Sequence, residues 1–214
     1  MKTAILWDLD GTLLDTLDDL LDATNHALSL FGQPPRTRTE LRRFVGNGAE
    51  NQIRLSLGEN ASQLLQPVLQ TYKAYYTNQC RIKTRPDAGI PEALAELGKT
   101  YPMAIVSNKP DAAVKALCAD FFPGIPAMGE SADCPRKPEP EMVFRAMERL
   151  GADRCVYVGD SEVDIRTAAN AGVPCLSVLW GFRDREDLEA AGGRYYCEDP
   201  GQLKEIREEI INGK

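Results

Sequence analysis

Histidine is almost missing from this chain: His26 is the single one among 214 residues. Serine–histidine and cysteine–histidine catalysis, which need an imidazole beside the nucleophile, are thereby excluded. So are zinc sites built from several histidines. His26 falls inside a long helical pattern, where a lone imidazole reads as a packing or surface residue. Any chemistry must run on carboxylates, lysine, hydroxyls and backbone amides. Cysteine pairs are missing too. Six cysteines lie at wide, irregular spacing with no CxxC among them, which argues against zinc ribbons and thioredoxin-like motifs and for free thiols in a reducing compartment. Positive charge is in deficit, with 25 Lys+Arg against 32 Asp+Glu and a net charge of −7. That speaks against a nucleic-acid-binding surface, although a local cluster can reverse the sign and admit an anionic substrate. No apolar run approaches a membrane span. Met1-Lys2 leads straight into an apolar run without the architecture of a secretory leader. The expectation is a cytoplasmic protein, monomer or homodimer, with no nucleic-acid or membrane partner.

What is present is ordinary globular material, 43% hydrophobic and 27% charged, with no internal repeat or low-complexity segment. Its length suits one large domain or a core with a smaller insert. "TAILWD" predicts a first strand over residues 3–8. Residues 15–80 then read as all-helical. Apolar residues at Leu17, Leu20, Leu21, Leu28 and Phe31 have helical spacing. "TRTELRRF" predicts a short helix capped by Thr39, "AENQIRLSL" a third, and Ser62–Gln79 a fourth. After Pro86 the texture changes to strands alternating with helices. "PMAIVSN", "GIPAMGES", "RCVYVGD" and "VPCLSVLWG" are the strands, and Pro200–Ile211 is a last helix. The alternation predicts an α/β fold, a doubly wound parallel sheet, with the helical stretch inserted after strand one. The expected division is a core of residues 1–14 and 84–214 and a helical insert of residues 15–83.

Open α/β sheets bind ligands beyond the carboxyl ends of their strands. At those ends stand Asp8 and Asp10, then Ser107-Asn108-Lys109, then Lys137 in "RKPEP", then Gly159-Asp160 with Asp164 four residues on. Asp8, Asp10 and Asp160 converging on one small volume repel each other. A hard divalent cation resolves this, and Mg²⁺ takes one or two carboxylates plus water and phosphate oxygens. Asp164, on the same helix face as Asp160 by spacing, suits an orienting role. Gly11 permits a chain reversal that turns amides toward an anion. Ser107 and the Asn108 backbone supply donors, and Lys137 a positive charge. Together they describe a pocket for a phosphoryl group and Mg²⁺. Without a histidine the nucleophile is a carboxylate, which forms an acyl-phosphate. The second acid handles protons.

"DLDGT", "SNK", the lysine of "RKPEP" and "GDSEVD", in that order, resemble the motif set of the haloacid dehalogenase-like phosphohydrolases across nearly the whole chain. The resemblance implies a Rossmann-like core and two-step Mg²⁺-dependent phosphoryl transfer through an aspartyl-phosphate. It implies Asp8 as nucleophile and metal ligand, and Asp10 as acid/base with its backbone carbonyl on the metal. It further implies Ser107 and Lys137 on the phosphate with Asn108 as a further contact, Asp160 as a metal ligand and Asp164 as its support. The insert resembles a helical cap of the kind that closes over such a site. "VGNGAE", residues 45–50, resembles the phosphoglycolate phosphatase branch, which makes a small phosphorylated metabolite, 2-phosphoglycolate first, the expected substrate. Pyrophosphatases, nucleotidases and sugar-phosphate mutases are neighbouring alternatives. Related mutases often carry an arginine where Ala49 and Glu50 stand here. Arg42, Arg43 and Arg54 are candidate substrate contacts or a solvated basic face.

Two other classes compete. A phospho-acceptor signalling module needs neither a cap nor a second acid two residues on, and a silent binding protein needs no intact set of Asp8, Asp10, Lys137 and Asp160. "GKT" at 98–100 lacks the earlier glycine of a phosphate-binding loop, since Ala93 stands there. Cys134, three residues from Lys137, is placed where its oxidation would disturb the site.

Overall fold

The computed structural model describes residues 1–205 and Ile210. In chain order the elements are β1 (Thr3–Trp7), β2 (Leu14–Asp15), α1 (Leu17–Leu30), α2 (Arg38–Phe44), α3 (Gly48–Leu57), α4 (Ala61–Gln79), β3 (Arg85–Pro86), α5 (Ile90–Leu97), β4 (Met103–Pro110), α6 (Asp111–Phe121), β5 (Ala127–Glu130), α7 (Glu141–Leu150), β6 (Arg154–Gly159), α8 (Glu162–Ala171), β7 (Cys175–Val178), α9 (Arg185–Ala190) and β8 (Tyr195–Cys197). Short 3₁₀ turns cover Gly58–Asn60 and Pro200–Glu205. The chain forms two compact units, Met1–Leu14 with Pro86–Lys214, and Asp15–Arg85.

In the first unit six strands lie side by side in the order β5-β4-β1-β6-β7-β8, every neighbouring pair parallel. Ala4, Ile5, Leu6 and Trp7 are fully buried. An unbroken apolar run is what a central parallel strand covered on both faces requires. Ala4, Leu6, Ala104, Val106, Cys155 and Tyr157 pack with Met142, Val143 and Ala146 of α7 and Ala168 of α8. β1 is thus wedged between β4 and β6, and its carboxyl end opens where theirs do. This is the α/β doubly wound parallel sheet that the alternation of apolar runs predicts.

The second unit is helical. α1 buries Leu17, Leu20, Ala23, Thr24, Ala27 and Leu28, and packs with α4. Gln52 Nε2 donates to Thr24 Oγ1 at 2.9 Å and ties α3 to α1. His26 stacks on the Tyr75 ring with centroids 4.1 Å apart, a packing role. The cap of α2 is Thr37, not Thr39: Glu40 N–H donates to Thr37 Oγ1 at 3.3 Å, and Thr37 N–H to Glu40 Oε2 at 2.8 Å. Thr37 has a glutamate three residues later, as a capping box needs, whereas Thr39 has Arg42. Arg54 pairs with Glu50 on its own helix.

Five further elements depart from the sequence pattern. β2 and β3, which pair with each other, have two residues each and show no periodicity. α9 and β8 follow Gly181 and extend the sheet by one edge strand. The predicted last helix begins as the 3₁₀ turn Pro200–Glu205, and its residues 206–209 and 211 lie outside the described ones. The six cysteines are free thiols. No helix among the described residues is long and apolar enough to cross a membrane.

Asp19 is the buried acid of the helical unit. Its carboxylate accepts from the backbone N–H of Lys83 at 3.0 Å, from the backbone N–H of Thr84 at 2.8 Å and from Thr84 Oγ1 at 2.8 Å. Asp19→Ala strands these donors in a buried place. It is expected to lower stability by about 2–3 kcal/mol, read as a lowered urea midpoint at unchanged m-value.

Candidate active site

The site assembles at the carboxyl ends of β1, β4 and β6. Asp8 follows β1 directly, and its backbone N–H donates to Val158 O at 2.8 Å, continuing the ladder with β6. Lys137 comes from the loop after β5 and is fully enclosed. Its Nζ donates to Asp8 Oδ1 at 2.7 Å, to Asp164 Oδ1 at 2.7 Å and to Tyr157 Oη at 3.1 Å. The three acceptors match the three donors of an ammonium. Burial alone would drive the Lys137 ammonium toward neutrality, but the Asp164 and Asp8 carboxylates more than offset it and hold its pKa well above the usual lysine value.

The side chain of Asn108 is committed elsewhere than at a phosphate. Its Nδ2 donates to Lys137 O at 3.0 Å, and its Oδ1 accepts from Lys137 N–H at 2.7 Å. Asn108 thus grips the backbone that carries the buried lysine. Ser107 is buried within β4, where the pairing with β5 shifts register, and its Oγ accepts from the Lys109 N–H at 3.2 Å.

Asp160 and Asp164 differ in setting from the helix-face arrangement that their spacing suggests. Asp160 precedes α8, in the turn after β6. Thr12 Oγ1 donates to its Oδ1 at 3.3 Å and Phe182 N–H to its Oδ2 at 2.6 Å. Asp164 is inside the first turn of α8, and its Oδ2 accepts from the Ser161 N–H at 3.1 Å and from Ser161 Oγ at 2.7 Å. Two glycines make room for Asp160. Gly11 has φ +81°, and a Cβ there or at Gly181 would run into the Asp160 carboxylate.

Among the described residues, Asp8, Asp160 and Asp164 bring one oxygen each within 4.8 Å of one another. Burial pushes the Asp8 carboxyl well up, Lys137 opposes this, and Asp164, Asp160 and Asp10 add to it. Burial, then the Asp164 charge, raises Asp160 to about 7, against the Phe182 N–H, Arg183 and Lys137. Hard carboxylate oxygens in excess over the single ammonium are a donor set that a hard divalent cation fits. Asp10 has its carboxylate outside this group: its Oδ1 lies 2.9 Å from Lys109 Nζ.

Several groups of the site were not singled out by sequence reasoning. Lys109 stood in view as the end of "SNK", but only the fold shows it paired with Asp10. Tyr157 reads as a core strand residue, and burial keeps its phenol protonated. Thr12, Ser161 and the Phe182 amide carry no sequence signal beyond a capping pattern at Ser161-x-x-Asp164. Cys134 is buried, and burial raises its thiol pKa, which disfavours the reactive thiolate.

A family model described as haloacid dehalogenase-like hydrolase matches residues 5–178. The chain is similar to a phosphoglycolate phosphatase of Mesorhizobium japonicum, 35% identical over 200 residues, covering 88% of this chain and 87% of the relative. It is similar to an N-acetylmuramic acid 6-phosphate phosphatase of Pseudomonas aeruginosa, 31% identical over 218 residues, covering 97% and 96%. Among solved structures, a proposed phosphoglycolate phosphatase from Lactobacillus delbrueckii subsp. bulgaricus superposes with a TM-score of 0.89 at 35% identity, covering 96% of this chain and 98% of that one.

The raised carboxyls fix the sign of a pH effect. A carboxyl whose folded pKa is raised stabilises the fold below its unfolded pKa, and that contribution is lost as pH rises through the folded value, about 7 for Asp160. A bound cation competes with the proton there. The gain in Tm from a divalent cation is therefore expected to be small near about pH 5.5 and to grow toward about pH 8, measured by thermal unfolding with cation or with chelator.

Proposed function

The chain belongs to the haloacid dehalogenase-like hydrolase family, and we propose that it is a Mg²⁺-dependent phosphatase acting on a small phosphate monoester, 2-phosphoglycolate first, through an aspartyl-phosphate on Asp8. The observation that carries this reading is the fully enclosed Lys137 ammonium 2.7 Å from Asp8 Oδ1. It sets the buried Asp8 carboxyl against a cation that opposes the effect of burial on it and that a phosphoryl group can share.

In the first step an Asp8 carboxylate oxygen attacks phosphorus while the bond to the leaving oxygen breaks, and Asp10 delivers a proton to that oxygen. Lys137, Ser107 Oγ and the Asn108 backbone amide hold the phosphoryl oxygens where charge accumulates. In the second step Asp10 takes a proton from water, which attacks phosphorus, and Asp8 leaves as the carboxylate. Asp8, Asp160 and the Asp10 backbone carbonyl would hold Mg²⁺, which would supply neutralisation of negative charge there. Asp164 orients Lys137 and Ser161. We place the protein in the cytoplasm, as a monomer or homodimer that engages neither nucleic acid nor membrane.

The relatives' names support a phosphate monoester and differ over its alcohol. The test is phosphate release with Mg²⁺ from 2-phosphoglycolate, hexose 6-phosphates, nucleoside monophosphates and pyrophosphate. Release is expected to be fastest from 2-phosphoglycolate and to stop on chelation. In Asp8→Asn it is expected to fall by at least about a thousandfold with a cooperative thermal transition retained. Release undiminished in Asp8→Asn would overturn the covalent mechanism. Release from no ester would overturn the phosphatase reading.

A further inference from the structure

The reaction just described draws on a carboxylate that stands in an ion pair. Lys109 Nζ lies 2.9 Å from Asp10 Oδ1, and the lysine side chain is only 4% exposed. Its backbone N–H is tied to Ser107 Oγ, so the residue is anchored beside the hydroxyl assigned to the phosphate. To serve the leaving oxygen, the Asp10 carboxylate must come within about 2.6–3.2 Å of it. Adding the length of the ion pair puts the Lys109 ammonium within about 6 Å of the ester oxygen. It lies on the leaving-group side of phosphorus, because Asp10 acts on that side. An ammonium so enclosed is poorly compensated by water, and taking a carboxylate from it is costly unless another anion replaces it.

We propose that Lys109 determines specificity for the leaving group by exchanging its ion pair with Asp10 for one with a carboxylate of the substrate. This rests on the phosphatase reading and assigns a residue to its leading substrate, a phosphate ester of a small 2-hydroxy acid. In such an ester the carboxylate is attached to the carbon that bears the ester oxygen, and its oxygens lie about 3 Å from that oxygen. One ammonium within about 6 Å can therefore meet the carboxylate while Asp10 meets the ester oxygen. The exchange moves hydrogen bonds only, and no proton leaves Lys109. An ester of a neutral alcohol offers no replacement anion, so any loosening of the pair as Asp10 works leaves the enclosed ammonium uncompensated.

The test compares 2-phosphoglycolate with 2-hydroxyethyl phosphate, which is similar in size and carries an alcohol in place of the carboxylate. The unmodified protein is expected to prefer the acid by about tenfold or more in kcat/KM. In Lys109→Met and Lys109→Gln that preference is expected to fall to near parity, chiefly through a raised KM for the acid, and Lys109→Arg is expected to restore most of it. A preference unchanged in Met and Gln variants that retain the thermal transition would overturn the assignment, as would equal use of both esters by the unmodified protein. If neither variant folds, the unmodified protein decides: inhibition by glycolate but not by ethylene glycol supports the assignment, and equal effects overturn it. Release confined to hexose phosphates overturns the Lys109 assignment and leaves the phosphatase reading standing. Release from no ester overturns both.

Discussion

A lysine enclosed by protein on every side holds this site together. Lys137 reaches from the loop after β5 to the end of β1 through Asp8, to β6 through Tyr157 and to the first turn of α8 through Asp164. Removing an ammonium from water costs several kcal/mol, and only close, well-oriented partners offset it. Each partner is fixed in turn. Asp8 is held by the β-ladder, Asp164 by Ser161, and the Lys137 backbone by both edges of the Asn108 amide. The strand order places these pieces together. Because β1 lies between β4 and β6, Asp8 and Asp160 just past their strands and Ser107 in the last half of β4 stand side by side.

Each of the two adjacent acids has its own cation. Asp8 faces Lys137 and Asp10 faces Lys109, the first lysine from the loop after β5 and the second from β4. That arrangement lets two carboxylates one residue apart, Asp8 buried and Asp10 partly so, stand close together. In the reaction we propose it would also separate their chemistry, with the cation at Asp8 meeting phosphate charge and the cation at Asp10 on the side of the departing alcohol.

The sequence made the sheet legible because the central strands are unbroken apolar runs ended by polar residues, a pattern that only a covered parallel strand explains. It made the site legible because four such ends carry ionisable or hydroxyl groups. The failures were local. Thr39 is the expected cap of α2, yet Thr37 caps it, because Thr37 has Glu40 three residues on. Asp160 was placed on a helix face because four-residue spacing suggests one, yet the helix begins at Glu162. The edge strand β8 spans only Tyr195–Cys197, too short for an alternating pattern. Lys109, Tyr157 and the use of the Asn108 amide depend on contacts between residues far apart in sequence, or on a turn that brings near ones face to face. Residue type alone does not encode such contacts.

Building the site sets a stability cost against a geometric gain. Asp8, Asp160 and Asp164 repel one another, and the raised carboxyls of Asp8 and Asp160 are the physical record of that repulsion combined with burial. A fold selected for stability alone would replace them with apolar residues of similar volume. Instead the chain spends glycine at 11 and 181 so that the backbone can approach Asp160 closely, and it adds a Thr12 hydroxyl and the Phe182 amide to fix that carboxylate. The apolar β1, β4 and β6, with α7 and α8 packed on them, carry the load. Oriented charges held against their own repulsion need no rearrangement when a charged ligand arrives, and that is the property from which electrostatic catalysis draws its effect.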